Sequence, residues 1–478
     1  MALPPANWEE ELAKRDRKIE ELTAQLAAAM QLIEELRAQL KQNSQNSSKP
    51  PSSDPPWAPR PKRKGRRRKR GGQPGHAARF SAEPDHVDKV VQHRASECQF
   101  CHADLSEGVL TGTVINNYLY SLPDIRPFVT DNQCLDVQCI KCSKVTPASL
   151  PLEVPRGQYD PSVQAMTAFV RGELKQSVRQ TSAVMTQLMH VPMSTGTVSK
   201  TQHQVSQILA APHAEALAYA QRSDRANADE TGWREQKAKA WLWVVVTTMA
   251  IVFVVHRRRT KAAAKELLGA AFGGILNCDR WASYNWIDAA RRQLCWSHLK
   301  RDFKSFLDYG PEAKCLGERL LVERKKLFRL WNRVRDGTLT RSQFQLDCRP
   351  LRRRIEALLE EGGRLSSRKV SGMCREILKI KAGLFTFVDF DRVEPTNNAA
   401  ERAIRFAVLM RKGCFGSDSA RGSRFIERFL TARATLRLQQ RDLYSYLKEA
   451  CTASLHGNPA PSLLPESVRT VAYARAAA

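Results

Sequence analysis

Apolar residues recur near the N-terminus at alternating intervals of three and four positions. They are Leu12, Ile19, Leu22, Leu26, Ala29, Ile33, Leu36 and Leu40. Glu, Lys and Arg lie among them, and only Arg15 interrupts the series. This period predicts a coiled coil over residues 1–42, and a homodimer or higher oligomer follows from it. An amphipathic helix that packs on a core is the alternative.

A helical period returns at residues 161–219, with a break at residues 190–194 and a second helix opening near Thr195. This order resembles a helix-turn-helix that binds DNA. The residues predicted on its DNA-facing side are Thr197, Ser199, Lys200 and Gln202. A helical hairpin that only packs is the alternative.

After Ser223 the pattern changes to short runs rich in β-branched residues. The segments NADETGW, KAWLWVVVTT, AIVFVVHR and GGILNCDRWASY predict strands, with the helix TKAAAKELLG before the last. This order predicts a mixed α/β sheet whose first three strands form a meander. Asp229 and Asp279 are predicted at strand ends, and helical periodicity continues from about residue 314 to 380.

The most apolar run, residues 241–255, is shorter than the roughly 20 residues of a spanning helix. The N-terminus has no apolar segment typical of a secretion signal. The sequence therefore predicts a cytoplasmic protein with no membrane partner.

The 478-residue chain carries 76 Lys and Arg against 49 Asp and Glu, a formal net charge of +27. Such an excess predicts a polyanionic partner, either nucleic acid or an acidic membrane surface, and no membrane anchor supports the second. Residues 43–80 are polar, then rich in proline, then basic, and predict a disordered linker whose cations bind phosphates without sequence preference. These cations are Arg63, Lys64, Arg66, Arg67, Arg68, Lys69 and Arg70.

Two Cys-x-x-Cys pairs lie between residues 81 and 152, where the composition predicts a small β-rich module. The pairs are Cys98 with Cys101 and Cys139 with Cys142. Four thiolates at this spacing predict one structural Zn²⁺, which would let a small module fold. The residues predicted as alternative ligands are Cys134, His93 and His102. Cysteines packed as small apolar groups are the other interpretation.

Carboxylates after Ser223 suggest a second metal site. Phosphodiester chemistry is served by two divalent ions held by a few carboxylates from separate elements. Asp229 and Asp279 near strand ends and Glu401 on a helix form such a set, although Glu230 is as well spaced as Asp229. Glu401 could instead complete a capping box with Asn398 as N-cap.

Several motifs in order resemble the insertion sequence 66 family of bacterial transposases. They are DETGW from Asp229, WLW from Trp241, DRWASY from Asp279, CWSHLKRDF from Cys295, NNAAERAIR from Asn397 and RKGCFGSDSARGSRF from Arg411. The linker segments QNSQNSSKPPSSD and RRKRGGQPGH are also similar to that family. The resemblance spans nearly the whole chain, although Lys300 stands where the family tends to have the first of two arginines.

This resemblance implies a DDE-type transposase that cleaves phosphodiesters and transfers strands at the ends of an insertion sequence. It implies a triad of Asp229, Asp279 and Glu401 that holds two Mg²⁺ or Mn²⁺ ions, and accessory proteins from the same element. The residues expected near DNA or behind the triad are Trp281, Tyr284, His298, Arg301, Arg402, Arg405, Arg411 and Lys412. A zinc-containing DNA-binding protein with an inert catalytic fold is the alternative.

The expected fold class is multidomain α+β. The expected parts are a coiled coil (1–42), a basic linker (43–80), a zinc-binding module (81–152), a helical DNA-binding region (153–222), a ribonuclease H-like catalytic domain (223–455) with a helical insertion at about 308–385, and a C-terminal tail (456–478).

Overall fold

A computed structural model describes residues 8–40, 42–44, 46, 54, 83–151 and 153–466. The chain divides into two compact units, residues 59–126 and residues 1–58 together with 127–478. In the smaller unit an isolated bridge joins Glu97 to Asp104. The helices and strands named below belong to the larger unit.

The α-helices are α1 (Trp8–Leu40), α2 (Pro161–Gly172), α3 (Val178–Ala183), α4 (Thr195–Ile208), α5 (Ala210–Gln221), α6 (Lys261–Leu268), α7 (Trp296–Ser305), α8 (Pro311–Arg335), α9 (Arg341–Gly362), α10 (Arg368–Lys379), α11 (Thr386–Asp389), α12 (Asn398–Cys414), α13 (Ala420–Leu438) and α14 (Leu443–Leu455). The strands are β1 (Val137–Gln138), β2 (Val145–Thr146), β3 (Arg225–Glu235), β4 (Ala238–Val246), β5 (Ile251–His256), β6 (Ile275–Cys278) and β7 (Arg292–Leu294). Strands β1 and β2 pair as a short antiparallel ladder.

Five strands form a mixed sheet in the order β5-β4-β3-β6-β7. Strands β3, β4 and β5 are antiparallel neighbours, which confirms the predicted meander. Strand β6 lies parallel to β3, and β7 lies parallel to β6. The prediction of a mixed sheet in a multidomain α+β chain is therefore confirmed, and β7 is an addition to it.

Alternate side chains of the sheet enter two different cores, as the two-residue period of a strand requires. On β4, Trp243 and Val245 pack with the cluster that includes α6 and α14. Leu242 and Val244 pack on the opposite face, against apolar residues of α12. The sheet is thus covered by helices on both faces, which accounts for the nearly continuous apolar sequence of β4 and β5.

Helices α7 to α11 bury a separate core, which includes Trp296, Phe303, Phe344 and Phe387. Three of these helices, α8 to α10, fill the interval in which helical periodicity predicts an insertion. Most residues of this core follow β7, with Leu294 of β7 and Ala38 added to them, and the cluster is separate from the two cores of the sheet.

Helix α13 lies along β5, the outer strand of the sheet. The amides of Ile251 and Phe253 donate to the hydroxyls of Thr435 and Thr431, each at 3.0 Å. The amide of Val255 donates to the carboxylate of Glu427. Side chains spaced by four residues along α13 therefore occupy successive outward-facing amides of β5.

The N-terminal segment predicted as a coiled coil is the long helix α1. Its apolar positions Leu12, Leu26 and Ile33 are largely exposed, whereas Ala38 is buried in the core of the insertion. Pairing of α1 with a second copy stays a prediction. In the described ranges no helix is long and apolar enough to cross a membrane.

Candidate active site

Asp229 and Glu230 lie in the middle of β3. The prediction that Asp229 ends a strand was wrong, because β3 continues to Glu235 by pairing with β4 alone. Only the first part of β3 pairs with β6, up to Asn227 opposite Asn277. Asp229 therefore lies where the parallel half of the sheet opens, although its own strand continues.

Asp279 directly follows β6, and the parallel register extended by two positions brings it level with Asp229. Cys278 packs in the core on the α6 side of the sheet, so the side chains of Asn277 and Asp279 belong to the opposite face. An oxygen of Asp279 accepts the amide of Trp281 at 2.9 Å, which fixes the turn after the strand.

Helix α12 brings Glu401 to this same face of the sheet. Its N-cap is Asn397 rather than the predicted Asn398, and the side chain of Asn397 forms no cap hydrogen bond. That side chain donates to the carbonyl of Ala228 at 2.7 Å and accepts from Asn227 at 3.1 Å. Glu401 therefore does not form the predicted capping box, because the side chain of Asn397 binds β3 rather than the first turn of the helix.

The carboxylates of Asp229, Asp279 and Glu401 interact electrostatically. Burial raises the pKa of Asp229 well above its usual range, and the charges of Glu230, Asp279 and Glu401 raise it further. Like charges gathered at a buried point destabilise one another unless a cation joins them.

Glu230 has partners of its own on the other face of β3. Its carboxylate accepts from the guanidinium of Arg259 at 2.6 Å and from the hydroxyl of Tyr284 at 2.8 Å. Burial raises the pKa of Glu230, as does the charge of Asp279, and Arg259 and Tyr284 oppose this shift. Strand alternation thus separates two neighbouring acids that spacing alone leaves equivalent.

Arg259 also stacks on the indole of Trp281, with its guanidinium carbon 3.9 Å from the ring centroid. Trp281 is 39% exposed, whereas Tyr284 is fully buried in the core on the α6 side. Of the two aromatic residues expected near DNA, only Trp281 therefore has a ring surface open to solvent.

Helix α7 carries His298 to the proposed triad. Its N-cap residue Cys295 is buried, and the sulfur accepts the amide of Asn397 at 3.2 Å. Burial lowers the pKa of His298 to about 4, and the charge of Arg301 adds to this effect. A ligand atom of Cys295, one of His298 and one of Glu401 lie within 4.8 Å of one another.

Sequence reasoning missed Cys295 and the anchoring role of Asn397. The signal for the first was the spacing Cys295-x-x-His298, which matches two ligands on one helical turn. Asn397 offered no comparable signal, because its partners lie about 170 residues away along the chain.

The basic residues predicted along α12 differ in their surroundings. Arg402, Arg405 and Lys412 are exposed. Arg411 is partly buried and donates to the carbonyl of Gly232, which ties the helix to β3. Contact of these residues with DNA stays a prediction.

The helix-turn-helix region has its second helix, α4, at the predicted start. Ser194 caps α4 by accepting the amide of Thr197, while Ser199 and Lys200 are exposed. Gln202 accepts from the guanidinium of Arg171 at 2.8 Å. DNA binding here stays a prediction, and the cationic cluster predicted at residues 63–70 lies outside the described residues.

Each Cys-x-x-Cys pair forms a tight turn of the same kind. The amide of His102 donates to the carbonyl of Cys98 at 2.9 Å, and that of Ser143 donates to Cys139 at 2.8 Å. Amides within each turn lower the pKa of the Cys98 and Cys139 thiols. The first pair belongs to the smaller unit and the second to the larger, so their joint zinc site stays a prediction.

The acids around Asp229 fit divalent cations. Oε1 of Glu401 is buried, and no described residue forms a hydrogen bond with it. Carboxylate oxygens from three elements are the ligands that Mg²⁺ and Mn²⁺ prefer. The residues that would hold such ions are Asp229, Asp279 and Glu401.

Residues 156–424, more than half of the chain, match the family described as Transposase IS66 family. This range includes all three acids. Residues 3–81 match a family of unknown function, DUF6444. No curated protein matches the chain.

Proposed function

Since this chain belongs to the IS66 family of transposases, we propose that it cleaves and joins DNA at the ends of an insertion sequence through Asp229, Asp279 and Glu401. The family membership implies a transposase that acts on DNA and uses divalent metal. The DDE triad and strand transfer are the proposal. The observation that carries it is that acids from the end of β6 and from α12 act electrostatically on Asp229 of β3, on one face of the sheet.

Asp229 rather than Glu230 is the proposed ligand on β3. Both oxygens of Glu230 are engaged by Arg259 and Tyr284, so that this acid is already neutralised within the protein. Asp229 has its pKa raised by burial and by three neighbouring acids, which is the setting that a bound cation reverses.

Two Mg²⁺ or Mn²⁺ ions, when bound, supply charge neutralisation at the attacking and leaving oxygens of a phosphodiester. The chain's own residues hold and orient the carboxylates. The backbone bond from Trp281 fixes Asp279, and Asn397 fixes the first turn of α12. Water for cleavage or a 3′ hydroxyl for joining would enter where the parallel strands separate.

The catalytic domain is proposed to be ribonuclease H-like. Its support is the strand order β5-β4-β3-β6-β7, in which a three-stranded meander continues into two parallel strands. Such an order opens the sheet at the carboxyl ends of its parallel strands, where functional groups collect. Helices α8 to α10 would form the insertion between Asp279 and Glu401.

The remaining parts are proposed to bind DNA and a second copy. The basic linker and helix α4 would contact double-stranded DNA, and exposed cations of α12 would follow phosphates near the triad. The two cysteine turns would share one structural Zn²⁺. Helix α1 would form a coiled-coil dimer or larger oligomer, and other products of the element would act as accessory proteins.

The test is Mg²⁺-dependent cleavage of DNA that carries the ends of the element. Asp229→Asn, Asp279→Asn and Glu401→Gln should each lower the cleavage rate by at least about a thousandfold, because the reaction depends on the set as a unit. Glu230→Gln is the matched control, since it removes a neighbouring charge that has internal partners. It should retain far more activity than Asp229→Asn.

Cleavage at wild-type rates in all three triad variants would refute the proposal. A wild-type chain that binds end DNA but fails to nick it with Mg²⁺ or Mn²⁺ would instead support a DNA-binding protein with an inert catalytic fold. Binding is measured on the same DNA, so that loss of binding and loss of chemistry are separated.

A further inference from the structure

A sulfur, an imidazole and a carboxylate meet beside the proposed triad. Nδ1 of His298 and Oε1 of Glu401 are 3.8 Å apart. Both atoms are buried, and neither has a hydrogen-bond partner in the described part of the chain. Potential ligand atoms of Cys295, His298 and Glu401 all lie within 4.8 Å of one another.

Unpartnered polar atoms in a protein interior are costly, so each such atom calls for a physical explanation. Ligand atoms around a tetrahedral Zn²⁺ are separated by roughly 3.5 Å, given bonds of about 2.0 to 2.3 Å. The pair formed by His298 and Glu401 is already near that separation. Closure by about one ångström would bring all three atoms to one ion.

Burial raises the pKa of the Cys295 thiol, so formation of a thiolate there depends on the metal ion itself. Cys295 is the N-cap residue of α7, whose aligned peptide dipoles stabilise negative charge at this end. Its sulfur accepts the amide of Asn397 at 3.2 Å, and the same residue docks α12 onto β3. The hydrogen bonds that position Glu401 thus also orient the sulfur.

We propose that Cys295, His298 and Glu401 form a second metal site, one that takes a thiophilic divalent ion of the zinc class. Thiolate and imidazole ligands select such ions over Mg²⁺, which prefers oxygen. Three protein ligands leave a fourth position open, as in catalytic rather than structural zinc sites.

This site shares Glu401 with the proposed triad. A zinc-class ion held by Cys295 and His298 occupies the carboxylate that the Mg²⁺ set needs. It therefore acts as an inhibitor of DNA cleavage. This consequence rests on the proposed function, whereas binding of the ion does not.

Binding is tested with Co²⁺, whose bond to a thiolate gives a charge-transfer absorption band. The full-length, metal-free and reduced protein is titrated as wild type, Cys295→Ser and Cys278→Ser. Cys278 is the matched control, because it is buried in β6 but faces the core on the opposite side of the sheet from Asp279. The five cysteines at residues 98–142 are the same in all three proteins, so their contribution cancels.

Cys295→Ser should lose one bound equivalent of Co²⁺ and the corresponding part of the band, whereas Cys278→Ser should keep both. Equal stoichiometry and equal bands in wild type and Cys295→Ser would overturn the proposal. If Cys295→Ser fails to fold, His298→Ala and Glu401→Gln provide the same test. Each should weaken Co²⁺ binding by roughly tenfold or more, and unchanged affinity in both would overturn the site.

The inhibitory consequence is measured separately as the concentration of Zn²⁺ that halves Mg²⁺-dependent cleavage. Inhibition of each protein is measured against its own rate without Zn²⁺. The Zn²⁺ concentration that halves this rate should be at least about tenfold higher for Cys295→Ser than for the wild type. For Cys278→Ser it should be unchanged. If wild type and Cys295→Ser were equally sensitive to Zn²⁺, the claim that both metal sites use Glu401 would be overturned. Absence of cleavage in wild type would count against the proposed function alone, since the Co²⁺ titration would still decide the metal site.

Discussion

Buried acids of the sheet and of helices α8 to α10 have their pKa values shifted in opposite directions. In the insertion, Glu323 is 7% exposed and lies 2.6 Å from Lys326 and 3.0 Å from Arg354. Burial raises the pKa of Glu323, but these two cations outweigh it and leave the pKa below its usual value. At the sheet, the pKa of Asp229 is raised by burial and by other acids.

The difference is not caused by a shortage of cations, because the chain carries a net charge of +27. Glu230, one residue from Asp229, has an arginine partner. Among the described residues, by contrast, no lysine or arginine forms an ion pair with Asp229, Asp279 or Glu401, and Glu401 faces only His298. A partnered acid is typical of a structural role, whereas a buried acid among acids is typical of a functional site.

The largest expected effect is stabilisation by metal. Free Mg²⁺ or Mn²⁺ at about a thousand times its dissociation constant should stabilise the native state by about 4 kcal/mol, since the unfolded chain does not gather the three acids. Asp279→Asn should lose most of this gain. The measurement is thermal unfolding with metal and with a chelator.

Glu323→Gln is the control for this comparison, because it removes an acid that already has partners. It should respond to metal as the wild type does. An equal loss of the metal response in Glu323→Gln and Asp279→Asn would remove the contrast between the two regions.

Glu427 is an intermediate case that sharpens the contrast. Burial raises its pKa from 4.5 to about 7, although Arg424 and the amide of Val255 oppose the shift. Below pH 4.5 the group is protonated in both states. As pH rises towards 7 the unfolded state loses this proton first, so stability falls by up to about 3 kcal/mol, at about 1.4 kcal/mol per pKa unit.

Glu427→Gln keeps an oxygen for the amide of Val255 and removes the titration. The difference in unfolding free energy between wild type and this variant should decline from pH 4.5 to 7 and level off above. Denaturant unfolding at several pH values measures it. A difference independent of pH would show that Glu427 ionises normally in the folded protein.

Asn397→Ala tests how the hydrogen bonds between α12 and β3 contribute to stability and to cleavage. The substitution should lower the free energy of unfolding by about 2 kcal/mol, because the carbonyl of Ala228 and the side-chain amide of Asn227 both lose a buried hydrogen-bond partner. Cleavage should fall with it, since Glu401 is carried by the helix that Asn397 anchors. Chemical denaturation gives the first quantity, and Asn398→Ala is the matched control, with a much smaller loss expected at both readouts.

The smallest effect is expected in the insertion itself. Glu323→Gln should lower stability by about 1 kcal/mol, the usual range for ion pairs that are not fully enclosed. Its DNA cleavage should equal that of the wild type. A strong loss of cleavage would mean that partnered acids of the insertion also serve the reaction.

The meander and the helices α8 to α10 could be predicted because both follow long, regular patterns. Strand β7 could not, since its three residues, RQL, are too few for a period. The acids themselves were found through ordered motifs that resemble a family. Alternation along β3 then gave a physical reason to separate Asp229 from Glu230, once the contacts of both faces were known.

Two local predictions failed for the same reason. Capping by Asn398 and a strand end at Asp229 are both what local sequence favours. In the structure Asn397 bonds to β3 and β3 extends along β4, so partners distant in the chain decide both outcomes. Local propensity is a weak guide wherever such tertiary hydrogen bonds compete.

The contact between α13 and β5 has a consequence for assembly. An unpaired outer strand is a template on which another chain can add a strand, and so a route to aggregation or exchange. Thr431, Thr435 and Glu427 occupy the amides that such a strand would need. The β5 edge is thereby closed to β-augmentation, and copies of this chain that associate must do so through other surfaces.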